Sequence, residues 1–138
     1  MVENKKYYAH SENYNNELHL LADHLRRTAD IAASFACDSK YKEIFKFTGL
    51  IHDLGKYQME FQRYLQNGGE RGSVPHASWG AGFARLHRML EASIAVDGHH
   101  KGLPDNSDWK IDTEPFKRGD VNNYNKIVDE YNKEIEDI

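Results

Sequence analysis

His52 and Asp53 stand side by side in the stretch "GLIHDLGK", in the middle of an apolar helical pattern. A carboxylate buried next to an imidazole is costly unless something neutralises it, and a metal ion would. Neighbours on a helix diverge by roughly 100 degrees. The spacing therefore predicts that one of the pair holds a metal while the other reaches a second metal or bridges two. Lys56 follows His52 by four residues and Asp53 by three, which puts it over the same face. Asp53 and Lys56 alone would be an ordinary helical ion pair. A His-Asp pair flanked by "GLI" and "LGK" is less ordinary.

The chain carries eight histidines, and their placement matters more than their number. His24 lies on an apolar face with Leu21 and Thr28, where a core histidine bonded to backbone is the plain alternative. His19 falls on the solvent side with Asp23 and Arg26, as a surface residue. His76 follows Pro75 and opens a helix, where a polar residue can be a cap. His99 and His100 form a doublet in a turn after an apolar helix, and helix ends often present ligands. His87, beside Arg88, is assigned to the surface. His10, in "YYAHSEN", reads either way.

Together His24, His52, Asp53, His76, His99 and His100 make a donor set of imidazoles with one bridging carboxylate. Such donors suit Mn, Fe, Co, Ni or Zn. The one cysteine, Cys37, offers no thiolate set for a structural zinc. Two adjacent metals can hold a hydroxide and polarise a phosphate.

Positioning these donors falls to helices. From Asn16 to Ala36, Leu21, Leu25, Thr28, Ala32 and Phe35 recur at helical spacing. A second helix is predicted over about Tyr41 to Leu54, loosened by Gly55, and a third over about Gln58 to Gln66. "NGGERGSVP" is a loop. A fourth helix starts near His76 and either runs on or breaks and restarts through "EASIAVDG". "HHKGLPDNSD" is a loop, and "DWKID" offers a short chance of a strand. "NNYNKIVDEYNKEIEDI" is an amphipathic helix or a frayed tail. The fold class is all-α, a helical bundle with the metal site between helices.

A chain of 138 residues suffices for one domain with one core. With 39% apolar and 29% charged residues it is expected to be globular rather than disordered. It has no apolar run long enough for a bilayer and no apolar signal-peptide core, so a cytoplasmic location with no membrane partner is expected. Its formal net charge is −4, where a stand-alone DNA-binding domain is usually basic.

The order His, His-Asp, His, His-His resembles the HD superfamily of metal-dependent phosphohydrolases. More narrowly it resembles the CRISPR-associated HD nuclease, the nuclease part of the type I CRISPR helicase-nuclease. The resembling segments are "LADHLRRTADIAASFA", "GLIHDLGKYQMEFQRYL", "VPHASWGA" and "IAVDGHHKGLPD", with the opening "YYAHSEN" also similar. "HDLGK" alone marks many HD enzymes; followed by "FQ.YL" and "HH.GLPD" it is more specific for the CRISPR branch.

The resemblance implies that His24, His52 and Asp53 ligate one metal and that Asp53 bridges to a second held by His76, His99 and His100. Asp53 and Lys56 carry the chemistry, with Lys56 on the scissile phosphate or the developing negative charge. It implies one or two divalent ions (Mn, Ni, Co, Fe or Mg), hydrolysis of single-stranded DNA in antiviral defense, and as partners a CRISPR helicase in the same or a separate chain and the Cascade surveillance complex. The metals would supply positive charge where the strand docks. The family pattern has a further aspartate well beyond the doublet. Asp112, Asp120 and Asp129 are candidates by position only, so residues 1–138 are expected to be one HD nuclease domain, cut short or part of a longer chain, with 106–138 as a tail. Two other classes compete: an HD phosphohydrolase of nucleotides or cyclic dinucleotides, and an inactive helical docking module that keeps a metal site.

Overall fold

Leu21, Leu25 and Ala29 recur at helical spacing, and all three are buried along α1, Leu21–Ser34. A computed structural model describes residues 6–10, 19–68, 74–100, 102 and 104–136. The expected helix start at Asn16 and much of the "NGGERGSVP" loop lie outside the described residues. The Asp38 carboxylate accepts from the Lys40 amide and starts α2, Ser39–Ile51, which packs along α1.

A 3-10 turn, Leu54–Tyr57, follows, then α3, Met59–Asn67. The predicted fourth helix takes the broken form. It is α4, Ala77–Leu86, a turn through Arg88 at positive φ, and α5, Leu90–Gly98. Residues Asn106–Arg118 form α6 and Tyr124–Glu136 form α7.

The architecture is the expected all-α bundle, with α4 packed against both α5 and α6. Gly80 lets α4 approach the chain just before the His-Asp pair, since a Cβ there would lie 2.2 Å from the Ile51 carbonyl oxygen. A buried relay ties α6 to the centre: the Trp109 indole donates to the Ser93 hydroxyl at 2.8 Å, and that hydroxyl donates to the Ala81 carbonyl at 2.7 Å.

Two expectations need correction, and one alternative is decided. "DWKID" is helical, because Trp109, Thr113 and Phe116 are the buried residues of α6 and follow its turn. Strands do occur, as an antiparallel pair of β1, Tyr8–His10, and β2, His19–Leu20. Of the two readings of the C-terminal segment, the amphipathic helix holds, packed over Tyr124–Glu136. Ile127 and Tyr131 are buried, and Tyr131 sits edge-on to Tyr57 and Phe83.

Polar bonds fasten α7 as well. The Tyr7 hydroxyl donates to Glu130 at 3.1 Å, the Tyr57 hydroxyl to Glu134 at 2.9 Å, and Arg26 to the Glu134 carbonyl. Burial, then the Glu130 carboxylate, pushes the Tyr7 phenol up from 10.0 to about 12. Burial and Glu134 raise Tyr57 in the same direction. Unfolded phenols therefore lose their protons first as pH rises, so this stability is complete below pH 10 and is lost through about pH 12. The melting temperature is expected to fall over that window, and more shallowly in a Tyr7→Phe, Tyr57→Phe double variant. Equal slopes in melts recorded across the pH series would remove the phenols from the account.

Candidate metal centre

The helix that delivers His52 stops at once. Ile51 is the last residue of α2, His52 is its cap, and Asp53 has left helical geometry at φ −114 and ψ 25. The two side chains therefore converge instead of diverging as on a continuous helix, with His52 Nε2 3.1 Å from Asp53 Oδ2. Gly55 allows the next close approach. A Cβ there would lie 2.3 Å from the His76 carbonyl oxygen, so the turn and the start of α4 share one narrow contact.

Asp53 is 3% exposed and lies at the centre of the cluster. Its Oδ2 faces His24 Nε2 at 2.9 Å and His52 Nε2 at 3.1 Å. Its Oδ1 faces His76 Nε2 at 3.2 Å and His99 Nε2 at 3.3 Å. His100 joins through His76, their Nε2 atoms 2.9 Å apart. Two donor groups result, one of His24, His52 and Asp53, the other of Asp53, His76, His99 and His100, with the donor atoms of each group within 4.8 Å of one another. Asp53 is the one residue common to both.

The donor chemistry fits divalent cations. His52 Nδ1 donates to the Gly49 carbonyl and His99 Nδ1 to the Val96 carbonyl, both at 2.6 Å. These bonds fix the proton on Nδ1 in the neutral rings and turn the Nε2 lone pairs toward Asp53. Lone pair then faces carboxylate oxygen, which a cation between them resolves. Where a proton rather than a cation sits on Nε2, the rings donate instead: burial alone would raise the Asp53 carboxyl, but hydrogen bonds from His24, His52, His76 and His99 hold it well below the usual carboxylate range. The carboxylate is thus the ionised, ligating form. Burial lowers His99, and the opposing bond to Asp53 carries it above the ordinary imidazole value. Burial, then His99 and His76, lowers His100.

His24 is therefore a cluster member, and His76 sits at the cap position of α4 without making a cap bond. His87 is exposed, as expected, and lies on the Phe83 ring at 4.3 Å. Among the described residues Asp112, Asp120 and Asp129 join neither donor group. Lys56 donates to the Ala9 carbonyl at 2.8 Å and lies 3.3 Å from Asp53 Oδ2. Lys56→Ala strips the Ala9 carbonyl of that partner. A loss of about 1–3 kcal/mol is expected, read as a lower denaturation midpoint. An unchanged midpoint would contradict it.

The family model for the HD domain matches residues 21–133. The chain belongs to the HD domain family. Among curated proteins, none matches it. This HD domain has a phosphohydrolase fold with a His/Asp cluster able to coordinate one or two divalent cations. Among the described residues no helix is long and apolar enough to cross a membrane.

Two supports of the centre are not evident from residue types. Gln62 is 6% exposed. Its side chain accepts from the Tyr8 amide at 3.0 Å and donates to the Tyr8 and Lys56 carbonyls at 2.9 and 2.8 Å. It thereby clamps β1 to the turn after Asp53. The signal was its place among apolar residues in "FQRYL". The second is His19, expected at the surface, whose ring lies 4.5 Å from His10 beside His24.

Proposed function

We propose that this HD domain is a metal-dependent phosphodiesterase. One observation carries the reading: the two oxygens of Asp53 face two separate imidazole groups, so a single carboxylate can bridge two cations. Cations bound there supply a water of lowered pKa and polarise a phosphoryl oxygen. His24 and His52 hold one side, His76, His99 and His100 the other, and Asp53 compensates charge on both. The Asp53 and Ala9 contacts occupy two of the three N–H donors of Lys56. The third is the one available to a phosphate oxygen, the role that the resemblance implies.

Single-stranded DNA is the substrate proposed first, in CRISPR interference with a helicase and the Cascade complex as partners. Its support is the sequence resemblance through "FQRYL" and "HHKGLPD". Nucleotides or cyclic dinucleotides are the second reading, supported by the family match, which is to the HD domain as a whole. A panel decides between them: the chain with Mn, offered a labelled single strand, the matching duplex, a nucleotide and a cyclic dinucleotide. Fastest cleavage of the single strand is expected. Fastest hydrolysis of a nucleotide selects the second reading. Bound metal with no hydrolysis of any member overturns both and leaves a docking module.

A further inference from the structure

Beside the metal centre runs a groove of about 480 Å³ lined by His19, Leu20, Asp23, His24, Arg26, Arg27 and Asp30. That volume falls within the range for small-molecule sites. His24 belongs both to the groove wall and to the donor group around Asp53. Whatever occupies the groove therefore lies next to the cations' ligands.

The lining has three distinct chemistries. Arg26 is committed, donating to the Glu134 carbonyl and lying 3.8 Å from Asp23. Arg27 is exposed and makes no ion pair among the described residues. Its planar guanidinium suits a phosphate. His19 is paired with His10 across β1 and β2, and the rings lie 4.5 Å apart. Of the two, His19 lines the groove while His10 stands edge-on to His24, and Leu20, 39% exposed, adds an apolar surface. Asp23 and Asp30 balance the two arginines, so the groove has no net formal charge apart from its histidines. Such a site does not draw in a run of phosphates. It suits one phosphate held by Arg27 and one base laid against imidazole.

We propose that this groove seats a single nucleotide unit adjacent to the scissile phosphodiester, with His19 stacking on the base and Arg27 holding a phosphate. The assignment rests on the phosphodiesterase reading for its place in the reaction, and on the groove alone for binding. It makes Arg27 and His19, neither of them in a donor group, determinants of substrate affinity. The nucleotide unit can come from a strand or from a free nucleotide, and the probe used tells them apart.

The test uses the chain with Mn and two probes, thymidine 5′-monophosphate and a short single-stranded oligonucleotide. Binding is followed at the His19 ring resonances with diamagnetic Zn in place of Mn, whose unpaired electrons would broaden them, and turnover with Mn as KM and kcat separately. Arg27→Gln and His19→Ala are each expected to raise KM for the oligonucleotide about tenfold, with a smaller change in kcat. His19→Trp, which keeps an aromatic face, is expected to restore the affinity. A shift of the His19 resonances by thymidylate that vanishes in Arg27→Gln shows the free nucleotide in the same groove; a shift with the oligonucleotide alone assigns the seat to a strand. Unchanged KM in both loss variants, or no resonance shift with either probe, overturns the proposal. Bis(p-nitrophenyl) phosphate separates it from the broader reading, because that probe needs only the metal centre. Its hydrolysis, when neither nucleotide probe perturbs His19, removes the groove and keeps the phosphodiesterase. Groove binding without hydrolysis of any diester does the reverse.

Discussion

Asp53→Asn is expected to abolish binding of both cations and to reduce phosphodiester hydrolysis by more than about 100-fold, since loss of even an outer partner of a metal ligand costs 10- to 100-fold. Each imidazole belongs to one donor group, whereas Asp53 belongs to both. The amide keeps the shape of the carboxylate but removes the negative charge that two cations share, and it presents a neutral dipole to four Nε2 atoms. Helical content should persist, because Asp53 has already left α2 and the apolar core does not depend on it. Calorimetric titration with Mn and cleavage of a labelled oligonucleotide read the two effects. A variant that binds and cleaves as the parent does would remove Asp53 from the centre.

Gly55→Ala should be nearly as damaging, by a different route. Gly55 is not among the glycines at positive φ, so the cause is contact and not backbone strain. The new methyl would lie 2.3 Å from the His76 carbonyl oxygen and 2.8 Å from its Cα, and neither atom belongs to a flexible side chain. Overpacking of this kind costs about 1–3 kcal/mol or more. The relief available is to move His76, whose Nε2 lies 3.2 Å from Asp53 Oδ1. A displacement of about 1 Å can cost on the order of 100-fold in rate. Thermal melting and turnover are therefore expected to fall together. Parental turnover at a lowered melting temperature would show that His76 holds its place independently.

The donor set was legible because imidazoles and a carboxylate interrupt apolar helical patterns where a core would not place them. Residue types cannot show where a helix stops. On a continuous helix His52 and Asp53 diverge; the break after Ile51 turns them onto one another. The strand suggested at "DWKID" failed because five alternating residues are outweighed by Trp109, Thr113 and Phe116, which bury while Ile111 stays 70% exposed. Gln62 was hidden because a buried amide has value only through backbone partners, here Tyr8 and Lys56. The pairing of His10 with His19 depends on β1 meeting β2, a contact that helical spacing cannot register. The amphipathic stripe of α7 was visible, but its burial rests on Tyr7, Tyr57 and Arg26, which are distant in sequence.

The bridging role of Asp53 is tested most directly by anomalous diffraction from crystals grown with Mn. Two peaks are expected on opposite sides of the Asp53 carboxylate. The stronger should lie among His76, His99 and His100, and the weaker beside His24 and His52, where the described residues offer three donors in all. Direct contacts from the metal to imidazole nitrogen and carboxylate oxygen, with no water between, would mark true coordination. A map with no peak within reach of Asp53, or with metal held only by groups elsewhere on the chain, would contradict the account.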